Sequence, residues 1–128
     1  MSGNLLLDTS AVIALLRNDA AAKSIIGGNA LAISSTVGGE LYYGAFNSNS
    51  PAENLLVVQN FIASIVLLPC DEQTGRHYGE IKATLRKVGK LIPENDIWVA
   101  ATAMQHNLVV LTRDVHFQSV TGIRTLTW

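Results

Sequence analysis

Strand-length apolar runs alternate with helical segments along the chain, and this alternation constrains the fold more than any other feature. The runs with the length and composition of β-strands lie at residues 4–7, 30–34, 65–69, 108–111 and 123–126. Helical periodicity marks the segments between them, as in 71–90, where one face carries Tyr78, Ile81, Leu85 and Val88. This pattern predicts an α/β fold of three layers, with helices on both faces of a mostly parallel sheet of about five strands.

The helix signals are clearest in two further segments. The segment 51–64 begins with proline, a favoured first helical residue. The segment 94–106, "ENDIWVAATAMQH", has a compact apolar face, and Asn107 ends it. The stretch "NSNSP" at 47–51 is a turn between helices rather than a linker. We therefore expect one domain over residues 1–128.

The composition is apolar and nearly neutral. Hydrophobic residues make up 48% of the chain and charged residues 15%, which predicts that a partner covers some apolar surface. No run reaches the ~18 apolar residues of a membrane span, so no membrane association is expected. The single Cys70 excludes an intrachain disulfide and favours a reduced, cytoplasmic setting.

Four acidic side chains follow strands or begin helices, where parallel sheets bind their ligands. Such sites lie outside the carboxyl ends of the strands, at the point where strand order reverses. Asp8 ends the first strand and Asp114 follows the fourth. Glu40 lies in the helix after the second strand, and Asp96 lies in the first turn of the helix at 94–106. If the first and fourth strands are neighbours, these carboxylates share one edge of the sheet.

Each acid also has an ordinary structural role open to it. Asp8 can cap the helix that follows, because an aspartate there accepts a backbone N–H. Asp96 or Asn95 can cap the helix at 94–106 in the same way. Asp114 can cap a short turn, and Glu40 can be a solvated helix residue. For one acid these roles explain as much as function does, but four acids at one edge favour a site.

A cluster of carboxylates favours a bound cation. Carboxylates a few ångströms apart repel one another and raise each other's pKa unless a cation is present. Oxygen ligands suit a hard ion such as Mg²⁺ or Mn²⁺. His77, His106 and His116 show no close zinc-ligand spacing and Cys70 stands alone, so zinc is not expected.

Three blocks of sequence carry a family resemblance: "LLLDTSAVIALL", "ISSTVGGELYYG" and "IPENDIWVAATAMQHNLVVLTRDVHF". Together they resemble the PIN-domain family, in particular the VapC-type toxins of prokaryotic toxin–antitoxin pairs, in the family's order and over nearly the whole chain. Each is a weak signal alone. The D-T-S start, the E-L-Y-Y-G helix and the D-x-x-x-A-A-T-A helix leading to T-R-D are jointly a strong one.

The resemblance implies a PIN-like fold and a Mg²⁺-dependent endoribonuclease, in which Mn²⁺ can substitute. It also implies structured RNA (a tRNA or rRNA loop) as substrate, a cognate antitoxin and a homodimer. The family's acidic residues correspond to Asp8, Glu40, Asp96 and Asp114. Its small hydroxyl residue corresponds to Thr112, and Thr9 matches the residue after the first acid.

Phosphodiester hydrolysis needs an activated water and stabilisation of the charge that develops at phosphorus. We assign Asp8, Asp96 and Asp114 to the metal cage. Glu40 completes the cage or orients water from outside it. Thr112 is expected to hydrogen-bond a carboxylate or the scissile phosphate, or else to satisfy the end of a strand.

The net charge of the chain is compatible with RNA binding when the four candidate site acids are left out of the count. The net charge of −1 argues against a generic nucleic-acid binder. Without the four candidate acids, six acidic residues face nine basic ones, a net charge of +3. A basic stripe for the RNA backbone, or simply a solvated helix face, is formed by Lys82, Arg86, Lys87 and Lys90. Arg113, beside Asp114, is the better candidate for contacting phosphate.

Two segments carry more apolar residues than one core face needs. They are "LYYGAF" and the helix at 51–64, with Tyr42, Tyr43, Phe46, Leu56 and Phe61. We expect part of this surface to form a groove for an amphipathic antitoxin segment or a dimer contact.

Other enzyme classes that place an aspartate after the first strand fit less well. The haloacid-dehalogenase pattern needs a second aspartate where Ser10 stands, and a receiver domain needs a lysine that the tail "IRTLTW" lacks. No glycine-rich phosphate loop follows a strand. Two alternatives stay open: a PIN nuclease of RNA processing without an antitoxin, and a non-catalytic metal-binding or scaffold module.

Overall fold

The structure is a computed structural model, and it describes residues 4–128. Its strands are β1 (Asn4–Leu7), β2 (Ala30–Ser34), β3 (Val66–Leu68), β4 (Val109–Leu111) and β5 (Arg124–Leu126). Its helices are α1 (Thr9–Leu16), α2 (Ala20–Ile26), α3 (Ser35–Phe46), α4 (Pro51–Ala63), α5 (Glu72–Lys87) and α6 (Glu94–His106). A short 3₁₀ helix spans Val115–Ser119.

All five strands are parallel and lie in the order β3-β2-β1-β4-β5. The prediction of an α/β fold with a five-stranded sheet is confirmed, and the sheet is parallel throughout rather than mostly. From β1 the chain builds outward to β2 and β3 on one side and later to β4 and β5 on the other. The strand order therefore reverses between β1 and β4, where a ligand site is expected.

The burial of the central strand β1 shows that the sheet is covered on both faces. Successive strand residues point to opposite faces, yet Leu5, Leu6 and Leu7 are all buried, at 2%, 0% and 0% exposure. Helices pack in pairs around this sheet, α3 with α4 and α5 with α6. None of the helices within residues 4–128 is long and apolar enough to cross a membrane.

Most element boundaries follow the predictions, with two differences. The predicted helix at 71–90 ends at Lys87, and Val88, assigned to its apolar face, is 61% exposed. The sequence pattern assigned no element to α2, whose N-cap Asp19 accepts a hydrogen bond from the backbone of Ala22. Asn107 ends α6 in the left-handed region at φ 54°, as predicted.

Candidate active site

The pairing of β1 with β4 brings Asp8 and Thr112 together. Leu7 lies opposite Leu111, so the next residue of each strand emerges at the same point of the sheet edge. The Thr112 hydroxyl donates a hydrogen bond to Oδ2 of Asp8. The same hydroxyl oxygen accepts a hydrogen bond of 2.9 Å from the backbone N–H of Asp114. One threonine thus joins the first acid to the loop that carries the last.

Asp8 is both a helix cap and a member of this cluster. Its Oδ1 accepts hydrogen bonds from the Ala11 backbone N–H at 2.9 Å and from the Ser10 hydroxyl at 2.7 Å. Its Oδ2 faces Thr112 instead. The residue is 6% exposed, and among residues 4–128 no buried side-chain polar atom lacks a partner. The two interpretations of Asp8 are therefore compatible.

Glu40 is tied to the beginning of α1. The Thr9 hydroxyl donates a hydrogen bond of 2.9 Å to Oε1 of Glu40. Helix α3 begins directly after β2, and its N-cap Ser34 accepts from the Val37 backbone. Glu40 therefore lies in the second turn of a helix that starts at the carboxyl edge of the sheet.

Asp96 and Asp114 meet around a histidine that was not predicted to be part of the site. Nδ1 of His116 lies 3.0 Å from Oδ2 of Asp96 and 2.8 Å from Oδ1 of Asp114. Asp96 comes from the first turn of α6, without capping it, because the N-cap is Pro93. Asp114 caps the 3₁₀ helix through the His116 backbone N–H at 2.9 Å, so that alternative role is also present.

The cluster of Asp96, Asp114 and His116 contains more acidic than basic groups. Burial raises the pKa of Asp96, and the carboxylates of Asp114 and Glu40 raise it further, although the hydrogen bond from His116 opposes them. The pKa of His116 is raised, chiefly by its hydrogen bond to Asp96 and also by the nearby charge of Asp114. The site therefore holds more negative charge than its one histidine offsets, a condition that a cation relieves.

The donor atoms fit a divalent cation. Asp96, Asp114 and His116 each offer one ligand atom within 4.8 Å of the other two, and no other such group of three occurs within residues 4–128. Asp8 and Glu40 are not in that group. Asp8 is tied to the loop of Asp114 through Thr112, and the charge of Glu40 contributes to the raised pKa of Asp96. The structure thus brings Asp96 and Asp114 together with His116, while Asp8, Thr112 and Glu40 lie around this group at the same edge of the sheet.

Two basic residues that were predicted to contact phosphate, Arg113 and Lys82, interact with other groups of the chain. The Arg113 guanidinium donates to the Trp128 carbonyl oxygen from Nε at 2.9 Å and from a terminal nitrogen at 2.6 Å, and lies 4.7 Å from that ring's centre. Lys82 pairs with Glu94, which holds the Glu94 carboxyl's pKa below its usual range. Within the basic stripe, the positive charge of Lys82 is therefore offset by Glu94 of α6.

An apolar groove of about 500 Å³ lies between α1, α3 and α4. Its apolar lining comes from Ile13, Leu16, Leu41, Val57 and Val58. Thr9 and Glu40 also line it, so the groove reaches the acidic site. Of the apolar residues expected here, Tyr43, Phe46 and Leu56 are exposed outside the groove. Tyr42 and Phe61 pack against the core instead.

The fold and the site together define a class of protein, namely an α/β domain whose parallel sheet carries a group of carboxylates where the strand order reverses, between β1 and β4. The PIN domain family model matches residues 5–123 of the chain. The chain belongs to the PIN domain family, and its curated relatives are VapC ribonucleases.

Three comparisons describe the similarity. Ribonuclease VapC2 of Haemophilus influenzae is 38% identical over 99 residues, 77% of this chain and 75% of that protein. The tRNA(fMet)-specific endonuclease VapC of Shigella flexneri is 32% identical over 127 residues, 96% of each chain. The crystal structure of DNA-bound VapBC from Salmonella typhimurium has a chain with a TM-score of 0.91 and 32% identity, covering 100% of this chain and 99% of that one.

Proposed function

We propose that this chain is a divalent-metal-dependent endoribonuclease and the toxin of a toxin–antitoxin pair. The observation that carries the proposal is the set of connected site residues where the strand order reverses. The Thr9 hydroxyl donates to Glu40, and the adjacent Asp8 accepts from the Thr112 hydroxyl, whose oxygen in turn accepts from the backbone N–H of Asp114. A scaffold module gains nothing from holding these carboxylates together, because their repulsion costs stability.

Asp96 and Asp114 would hold the cation directly, and Asp8 would complete the cage. When bound, Mg²⁺ or Mn²⁺ lowers the pKa of a coordinated water and neutralises charge on a phosphodiester. Thr112 holds Asp8 and Asp114 in register through its one hydroxyl. Glu40, which accepts a hydrogen bond from Thr9, would orient a water beside the cage.

The substrate that we propose is a structured RNA, and tRNA is the first one to test. One relative that matches 96% of this chain, from Shigella flexneri, is named as a tRNA(fMet)-specific endonuclease. Recognition of RNA loops depends on shape and on unstacked bases, so the acidic site alone does not define the target. Ribosomal RNA is the second substrate to test.

Purified protein, freed of any partner, is expected to cleave tRNA with Mg²⁺ or Mn²⁺ and to stop when EDTA is added. Hydrolysis by an activated water leaves a 5′-phosphate and a 3′-hydroxyl, and sequencing of the cleaved ends measures both the site and the chemistry. Total tRNA and ribosomal RNA are compared at equal mass. Cleavage that persists in EDTA, or 2′,3′-cyclic phosphate ends, would contradict the mechanism.

The antitoxin is the partner that we propose for the groove between α1, α3 and α4. Solved structures that share this fold include VapBC toxin–antitoxin complexes. An amphipathic segment in the groove would bury its apolar lining and end beside Glu40 and Thr9, where it would obstruct the site. Tyr43, Phe46 and Leu56 are exposed and do not line the groove, and we assign them to the homodimer contact.

Substitutions of two adjacent residues of α4 can distinguish the antitoxin groove from the homodimer contact. Val57 lines the groove and is 46% exposed, whereas Leu56 is 61% exposed and does not line it. Val57→Asp should weaken antitoxin binding by about tenfold or more, because a buried charge replaces an apolar contact. Leu56→Asp should leave that affinity unchanged and instead lower the dimer fraction. Titration with the purified antitoxin and light scattering measure the two effects, and the reverse pattern would exchange the assignments.

A further inference from the structure

We infer that His116 is itself a metal ligand, and that the site it forms with Asp96 and Asp114 prefers Mn²⁺ to Mg²⁺. This inference rests on the proposed function in one respect, namely that the acidic cluster holds a divalent cation. It goes beyond the proposed carboxylate cage by adding an imidazole nitrogen to the ligand set. An imidazole changes which ion the site selects.

The spacing of the three side chains supports direct coordination. Ligands on adjacent corners of an octahedral ion at about 2.1 Å lie about 3 Å apart. Nδ1 of His116 is 3.0 Å from Oδ2 of Asp96 and 2.8 Å from Oδ1 of Asp114, and all three donors lie within 4.8 Å. The same nitrogen thus faces both carboxylates, and a cation bound among the three atoms would take its lone pair as a ligand.

The ring is held in place yet open to solvent. Phe117, the next residue, is 1% exposed and anchors the 3₁₀ helix to the core. The His116 side chain itself is 46% exposed, and those of Asp96 and Asp114 are 20% and 35% exposed. A cation can therefore enter from solvent without a change in the fold.

The ligand chemistry decides between the two ions. Mg²⁺ is a hard ion that favours oxygen and keeps several waters. Carboxylate oxygen suits Mn²⁺ as well as Mg²⁺, and Mn²⁺, as a first-row transition-metal ion, gains more from a nitrogen ligand than Mg²⁺ does. Later first-row ions would bind such a site more tightly still, so the preference is one for Mn²⁺ relative to Mg²⁺. An imidazole beside the carboxylates therefore favours Mn²⁺ over Mg²⁺, whereas a site of carboxylates alone would discriminate less between the two ions.

Two variants and a matched histidine control test this inference with Mn²⁺ and Mg²⁺ as probes. His116→Asn places an amide oxygen near the position of Nδ1, and His116→Ala removes the donor. His106→Gln is the control, because His106 is exposed at the far end of α6, about 15 Å along the helix from Asp96. Pulsed electron paramagnetic resonance of bound Mn²⁺ detects a coordinated nitrogen, and competition with Mg²⁺ gives both affinities.

Wild type and His106→Gln should show nitrogen coupling and bind Mn²⁺ at least about tenfold more tightly than Mg²⁺. His116→Asn should lose the coupling and about tenfold in Mn²⁺ affinity, while its Mg²⁺ affinity changes by less than about threefold. His116→Ala should lose the coupling too and bind both ions more weakly. Coupling that survives in either His116 variant, or is missing from wild type, would overturn the inference.

Cleavage of tRNA by the same preparations distinguishes this inference from the proposed function. Wild type that cleaves tRNA with Mg²⁺, but shows no nitrogen coupling with Mn²⁺, would refute the role of His116 alone. Wild type that couples through His116 and leaves RNA intact with either ion would refute the nuclease proposal and keep the metal site.

Discussion

Replacing Asp8 with asparagine is expected to lower RNA cleavage by at least about 100-fold while the fold survives. Asparagine caps a helix about as well as aspartate does, so the bonds from Ala11 and Ser10 to Oδ1 can be kept. The negative charge that faces Thr112 is lost. Cleavage of tRNA with Mg²⁺ measures the first effect, and circular dichroism measures the second.

Melting temperatures with and without Mg²⁺ show whether the loss is one of metal binding. A cation that binds only the folded state should raise the wild-type melting temperature and raise that of Asp8→Asn much less. Asp19→Asn is the matched control, because Asp19 caps α2 through Ala22 in the same way and lies outside the site. Equal Mg²⁺ shifts in wild type and Asp8→Asn, with cleavage intact, would leave Asp8 as a cap only.

Phe117→Ala should lower the free energy of unfolding by about 3–5 kcal/mol. Phe117 is 1% exposed and is the one buried residue of the 3₁₀ helix at Val115–Ser119. Its removal leaves a cavity under the segment that presents Asp114 and His116. Because typical domains are stable by only about 5–15 kcal/mol, the variant should melt at a much lower temperature.

The neighbouring Val115 supplies the control for that variant. Val115 lies in the same 3₁₀ helix and is 69% exposed, so Val115→Ala should change stability by less than about 0.5 kcal/mol. Urea unfolding of both variants, without metal, measures the difference. Similar values for the two would show that the 3₁₀ helix is not anchored through Phe117.

Patterns that repeat along one element were predictable from the sequence. The helix at 94–106 coincides with α6, because its composition, its apolar face and Asn107 all indicate the same ends. The strands were located to within about a residue by apolar runs between turns. Helix α2 was not predicted, because seven residues rich in alanine show no clear period.

Contacts between distant side chains were predictable only where topology dictates them. Asp8 and Thr112 meet because parallel β1 and β4 end at one edge. The sequence gives His116 no close zinc-ligand spacing with the other two histidines, which argues against a zinc site, but it does not indicate that the partners of His116 are two aspartates. The hydrogen bonds of Arg113 to Trp128 depend on how the chain folds back after β5, which no local pattern encodes.

The adjacency of β1 and β4 also has a consequence for synthesis of the protein. Asp8 and Thr112, which hydrogen-bond each other, are 104 residues apart in the chain. At about 5–20 residues per second, a ribosome needs about 5–20 s after translating Asp8 before it reaches Thr112. Until β4 has been made and added to the sheet, Asp8 lacks both its neighbour and the loop with Asp114. The acidic site is therefore assembled only after Thr112 and the loop that follows β4 have been translated.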